Sequence, residues 1–266
     1  MIRDITLGQY FFGNSVIHRL DARTKIICLF VFIILLFGSI NFVSLFLTVA
    51  ACLAVIIMTK INFIFYLKSM KVILFVIILT GVINLFYGSG KVLFEWGIII
   101  ITEGGISTAL FVCIRLSALM LISSVLTYTT TPTDLTYAME RLMSPLKILR
   151  IKPHEIALMM SVALRFIPVL LIESDRIMNA QKSRGADMES GNLFKRVRSF
   201  IPVIIPLFVS SIRHANDLAI AMECRCYNGS EGRTRMRVQR FKLFDFVAFL
   251  FTAFVTAGVV LLGILF

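Results

Sequence analysis

Acidic residues are scarce in this chain. Its 266 residues hold 15 Asp and Glu against 27 Lys and Arg. Charge of both signs together reaches only 16%, where ordinary soluble domains carry roughly 25%. Acids are nearly absent from the long apolar runs, which leaves intramembrane catalysis without paired carboxylates or a base. Histidine occurs three times. His18, His154 and His214 are widely separated and not at metal-ligand spacing, so a bound-metal reaction is equally short of ligands. The five cysteines, Cys28, Cys52, Cys113, Cys224 and Cys226, are scattered and form no disulfide framework. The first three lie in apolar runs and read as small core residues. Cys224-x-Cys226 is too short and too isolated for a zinc site. There is no Walker motif, so any ATPase belongs to another chain. No cleavable signal peptide is expected either: the first apolar run starts near residue 26, is long enough to span, and lacks a convincing cleavage site.

Apolar residues are what the chain has in excess: 58% are hydrophobic and the mean hydropathy is +0.91. The expected class is an all-α integral membrane protein, with architecture dictated by the lipid bilayer. A net charge of +12 would raise nucleic acid as a partner in a soluble chain. In a membrane chain it reads as positive-inside charge on cytoplasmic loops, with no nucleic acid implied.

Five spans are expected, at about Ile26–Ile40, Phe42–Thr59, Val72–Tyr87, Ile106–Tyr128 and Phe244–Phe266. Residues 1–25 are a polar lead-in, and Arg19, Arg23 and Lys25 just before the first span put the N-terminus in the cytoplasm. Lys60, Lys68 and Lys71 mark the return to that side. The outer loop from Gly88 to Gly105 carries Glu95, Glu103 and Trp96, the last suited to an interfacial anchor. Arg115 is the only charge well inside the first four spans. It must face a protein or water-filled interior, bonded to a backbone carbonyl or a polar side chain, or contact another membrane subunit.

From Thr129 to about residue 243 the composition changes. Thr131-Pro132-Thr133-Asp134 is a helix-start signal. An amphipathic helix over about 132–149 follows, with Leu135, Met139, Leu142, Met143, Leu146 and Leu149 on one face. Two similar segments come next. One runs from Phe166-Ile167-Pro168 to Ser183-Arg184-Gly185, the other from Phe200-Ile201-Pro202 to Cys224-Arg225-Cys226. The arginine stands 18 positions after the Phe in one and 25 in the other. The difference is close to two helical turns, which keeps a similar facing. Both segments read as long helices, over about 155–185 and 199–227, each tipped by one arginine. Pro168, Pro202 and Pro206 favour a kink or a start in them.

Both segments are apolar enough to be mistaken for spans. If the first crossed outward, Arg176, Lys182, Arg184, Lys195, Arg196 and Arg198 would lie outside. If neither crosses, 25 of the 27 cations are cytoplasmic, leaving only Lys91 and Arg115. The expected division is therefore a lead-in (1–25), a four-helix membrane region (26–128), a cytoplasmic coupling domain of three helices (129–243) and a last span (244–266) ending outside. The basic stretch from Arg233 to Lys242 suits contact with anionic lipid.

Guanidinium is always charged and can hold a carboxylate bidentately. Small neighbours at Ser183, Gly185, Cys224 and Cys226 let each arginine enter a groove on another protein. Capping of the helix dipole is the structural alternative for a single arginine. Two copies after the same opening sequence favour a docking role.

These residues carry a resemblance. The lead-in from Gly13 to Lys25, the segment Gln181-Lys182-Ser183-Arg184-Gly185-Ala186-Asp187, and Ala221-Met222-Glu223-Cys224-Arg225-Cys226-Tyr227 with Glu231-Gly232-Arg233-Thr234 resemble the transmembrane (T) component of energy-coupling factor transporters, importers of the ATP-binding-cassette class. The resemblance covers nearly the whole chain. The family's signature is a pair of Ala-Arg-Gly-like tripeptides ending two coupling helices; Ser183, Cys224 and Cys226 depart from it, all with small residues. The resemblance implies that Ser183, Arg184, Gly185 and Cys224, Arg225, Cys226 dock on two ATPase subunits (EcfA and EcfA'). It also implies a substrate-binding membrane S component as partner, a bacterial cell membrane as location, and vitamins or other micronutrients as cargo. ATP and Mg would be bound by the ATPases, leaving this chain non-catalytic and without a cofactor of its own. The alternative is a stand-alone secondary transporter or channel, which would need polar or broken spans near mid-membrane in repeated halves. The spans show little of that.

Overall fold

A computed structural model describes residues 10–86, 91–96, 99–186, 192–229 and 241–265. Among these, the side chains of 92–101, 193, 195–197 and 265 fall outside the description. The chain is almost wholly helical, with one two-stranded antiparallel hairpin. It divides into two compact units: Gly8–Ala138 with Val238–Phe266, and Met139–Arg237.

The first unit is a helical bundle. A short helix α1 (Val16–Arg19) leads into α2 (Ala22–Gly38), α3 (Phe42–Thr59) and α4 (Phe63–Phe86). Strands β1 (Val92–Trp96) and β2 (Ile99–Thr102) pair antiparallel, with Glu95 opposite Ile100 and an irregularity between Val92 and Phe94. Then follow α5 (Glu103–Thr129), the start of α6 (Pro132–Leu142) and, after the second unit, α9 (Leu243–Leu265). The helix ends have local causes. Asp21 caps α2 by accepting from the Arg23 N–H. Thr102 caps α5 by accepting from Gly105. Lys60 closes α3 in the left-handed region at φ 56°.

α3 occupies the expected residues. The expected third span begins too late: Lys68 and Lys71, read as loop markers, lie on α4, which starts at Phe63. Their stems can run along the helix while the charges reach the interface. The outer loop was read without strands, yet β1 and β2 form there; the side chain of Trp96, the proposed anchor, lies outside the described ones.

α4 and α5 pack as the most extensive pair, while α3 lies against both α5 and α9, and α2 against the same two. A Cβ on Gly105 would come within 2.5 Å of the Leu85 carbonyl oxygen, so only glycine permits this approach of α5 to α4. The core is apolar, from Leu36, Leu45, Cys52, Ile122 and Val255 among others. Cys28 and Cys113 are only partly buried, so of the three cysteines read as core residues Cys52 alone is fully so. At one end Tyr66 is wholly buried with its hydroxyl 3.1 Å from Thr59 Oγ1. Beside it, Tyr128 bonds Ser69. The lead-in is tied to the same end by the Phe11 N–H donating to the Tyr128 carbonyl at 3.0 Å.

Arg115 takes the backbone partner. Its Nη2 donates to the Ser39 carbonyl oxygen at 2.5 Å, and its guanidinium lies 4.6 Å from the Phe111 ring centre. Ser39 is the C-cap of α2, where helix carbonyls lack intrahelical donors.

The second unit holds a 3₁₀ turn (Ser144–Leu149), α7 (Pro153–Ser183) and α8 (Leu193–Cys224). The helix expected over 132–149 therefore breaks at Leu142, because Pro145 cannot continue it. Pro168, Pro202 and Pro206 all lie inside helices, and none marks a start. Among the described residues six helices, α3, α4, α5, α7, α8 and α9, are long and apolar enough to cross a membrane by length and composition. α2 has 17 residues, about 25 Å of helix.

Candidate docking site at two arginine-tipped helix ends

Within the second unit α7 and α8 pack together. Ser210 on α8 donates to Glu173 Oε1 on α7 at 2.5 Å, and His214 Nε2 lies 3.3 Å from Glu173 Oε2. One turn further along α8, contacts move backward along α7. The His214 ring sits 6.1 Å from Phe166, and Leu218, Met222 and Arg225 share a cleft with Leu158, Val162 and Arg165. The two helices therefore run antiparallel. Their tips lie on opposite sides of the Glu173–Ser210 contact, about 17 Å along α7 to Arg184 and about 22 Å along α8 to Arg225 at 1.5 Å per residue.

The two ends share one backbone design. At the end of α7 the Gly185 N–H bonds the Lys182 carbonyl and the Ala186 N–H reaches back to Gln181 at 3.0 Å. At the end of α8 the Cys226 N–H bonds Glu223 and the Tyr227 N–H reaches back to Met222 at 3.0 Å. Each is a Schellman closure, in which the residue after the cap turns left-handed. Gly185 does so at φ 83° and Cys226 at φ 55°. In both, the arginine is the cap residue itself, contributing only its backbone N–H to the closure. Among the described residues neither guanidinium has a hydrogen-bond or ion-pair partner. The helix ends are satisfied by backbone alone, which leaves both arginines available to a partner. Ser183, Arg184, Gly185, Cys224, Arg225 and Cys226 are all exposed. Ser183 bonds back to the Asn179 carbonyl at 3.1 Å, so its hydroxyl is satisfied within α7.

The sequence reading singles out these six residues but not the pin that joins the helices. It assigns Glu173 no role, and His214 enters it only as a histidine not at metal-ligand spacing. The signal was available: a carboxylate, a hydroxyl and an imidazole interrupt two otherwise apolar stretches. The Phe-Ile-Pro tripeptides do not open the helices. They lie well inside α7 and α8, where Phe166 lies against His214. Along α8 the pattern Ile201, Ile204, Ile205, Phe208, Ile212 leaves a stripe 46–65% exposed. The basic stretch read from Arg233 to Lys242 lies, up to Arg240, outside the described residues.

Comparison with known proteins is decisive for the family. A profile described as "Cobalt transport protein" (CbiQ) matches residues 13–236. The energy-coupling factor transporter transmembrane protein EcfT of Ruminiclostridium cellulolyticum is 48% identical over 245 residues, covering 92% of both chains. That of Thermosediminibacter oceani is 43% identical over 257 residues, covering 97% of both.

The chain belongs to the EcfT family.

The EcfT of Bacillus subtilis is also similar, 39% identical over 238 residues, covering 89% of this chain and 90% of the relative. As an EcfT family member the chain is a multi-pass membrane protein and a transport subunit, the transmembrane component of an energy-coupling factor transporter. Both arginine-tipped ends fall within the matched residues 13–236.

Proposed function

We propose that the ends of α7 and α8 are the handles by which two ATP-binding-cassette ATPase subunits, EcfA and EcfA', grip this chain. The observation that carries this reading is the pair of matching Schellman ends, each presenting an unpaired, exposed arginine, on opposite ends of an antiparallel helix pair. Two separate tips suit two separate subunits. A guanidinium between small neighbours can enter a groove and hold a carboxylate bidentately.

In this reading residues 129–243 are cytoplasmic, as the charge tally favours, with the N-terminus inside and the C-terminus outside. ATP and Mg are bound by the ATPases, and this chain supplies no catalytic group. Closure of the ATPases on ATP moves the two tips, and α7 and α8 pass the motion to a substrate-binding membrane S component. The exposed stripe Ile201–Ile212 on α8 is the apolar surface against which that partner moves. The cargo is a vitamin or another micronutrient held by the S component.

The test is Arg184→Glu combined with Arg225→Glu in the co-expressed complex. ATPase recovery with this subunit is expected to be lost while membrane insertion persists. Undiminished recovery of both ATPases would overturn the reading.

A further inference from the structure

The two helix ends match in backbone but not in surroundings. A Cβ at Gly185 would meet nothing within 4 Å among the described residues. The α8 end borders a cleft of about 380 Å³ between α8 and the first turns of α7. Apolar side chains wall it, Leu158, Phe166, Leu218 and Met222 among them, and Ser161, Arg165, Arg225 and Tyr227 supply its polar groups. Arg165 and Arg225 are both exposed, and among the described residues neither forms an ion pair.

Two guanidiniums in one cleft without an acid repel each other. Among the described residues no acid lines the cleft, so it carries an unmet positive potential. An anion there would gain charge-assisted hydrogen bonds from two planar donors. The walls add a second requirement: the anion must sit beside an apolar body that can cover them. An Asp or Glu flanked by apolar residues on a protein surface has both features. Resting on the docking reading above, we propose that Arg165 is the second cation of the α8 docking end: with Arg225 it receives a carboxylate of the ATPase seated there, and the α7 end has no counterpart. The two ATPases would then be told apart by this chain. The α8 end selects the subunit with an acidic, apolar-flanked projection, while the α7 end accepts one that reads a single arginine.

The test uses the complete complex with the two ATPases carrying different tags. Arg165→Glu should reduce recovery of one ATPase about tenfold or more, as loss of a charge-assisted pair implies. That ATPase should be the one lost with Arg225→Glu, and the one lost with Arg184→Glu should stay at wild-type level. Arg165→Lys keeps the charge but not the fork and should show an intermediate loss. A photo-crosslinking amino acid in place of Ser161, in an otherwise wild-type chain, should label that same ATPase alone, which separates a docking effect from misfolding. Wild-type recovery of both ATPases by Arg165→Glu, while Arg225→Glu still loses one, would overturn this proposal and leave the docking reading intact. Crosslinking from position 161 to anionic lipid rather than ATPase would overturn it too. Retention of both ATPases by Arg184→Glu and by Arg225→Glu would instead sink the docking reading and this proposal with it.

Discussion

Gly185 and Cys226 do the same backbone job with different side chains. A Schellman closure needs its C′ residue at positive φ, which is free for glycine and costs an L-residue about 1–2 kcal/mol. The tripeptide's third position is therefore set by the helix end, not only by a groove that wants small residues. Cys226→Gly should stabilise the α8 end by about 1 kcal/mol, and Gly185→Ala should destabilise the α7 end by a similar amount. Hydrogen exchange at Tyr227 and at Ala186, whose N–H groups close the two ends, would read this directly. Unchanged protection in both variants would refute it. At this scale the sequence was legible for Gly185, since glycine just after a helical pattern is a known stop. It was opaque for Cys226, because no local signal says that a cysteine will be held left-handed. Arg115 was half legible: its need for a partner followed from chemistry, but Ser39 as that partner follows only from how far α2 extends.

Among the elements, the start of α9 is fixed by a carboxylate. Asp245 is buried, accepts from the Lys242 N–H at 2.7 Å and also from the Asp21 N–H at 2.8 Å. One side chain thus caps α9 and holds the entry of α2. Asp21 in turn binds the Arg23 guanidinium at 2.6 Å, and that guanidinium lies 4.3 Å from the Phe241 ring centre. Removing the acceptor in Asp245→Ala strands two N–H groups and should cost about 2 kcal/mol or more, seen as a lower unfolding temperature in detergent. A temperature equal to wild type would contradict the clasp. Burial alone would raise the Asp21 carboxyl, but the hydrogen bonds and charge of Arg23 outweigh it and hold it below the usual carboxylate range. A depressed carboxylate stabilises fully above its unfolded-state value and loses that contribution as pH falls through its folded value. Asp21→Asn should therefore be less stable than wild type at neutral pH, and the gap should close only in acid below the ordinary aspartate range. Element boundaries were legible where apolar runs end in polar turns, as at α3. They were misread where cations ride on a helix, as Lys68 and Lys71 do on α4, and as Lys195 and Arg196 do on α8. The β1–β2 hairpin was missed although Val92–Trp96 and Ile98–Thr102 flank Gly97 with β-forming residues.

For the whole molecule, length and apolarity leave one question open on which charge bears. α7 and α8 are as long and apolar as spans, yet crossing would carry Arg176, Lys182, Arg184 and Arg198 to the outside. The cost of violating the positive-inside bias favours keeping both on the cytoplasmic side. Ser183→Cys reports this, because an antiparallel pair that crossed would put the α7 end outside but return Cys224 and Cys226 to the inner side. Cys224 and Cys226 are exposed beside Arg225, whereas Cys52 is 1% exposed within the bundle core. A membrane-impermeant maleimide should leave Ser183→Cys unlabelled in intact cells, and in inverted vesicles stripped of ATPases it should label Cys224 and Cys226 of the native chain. Adding back the ATPases should slow that labelling, because the docked subunit covers the α8 end. Labelling of Ser183→Cys from the outer side would make α7 and α8 ordinary spans. Labelling of Cys224 and Cys226 from the inner side that the ATPases leave untouched would keep the topology and move the grip elsewhere. Thiols at the two helix ends thus separate where the arginine tips are from what holds them.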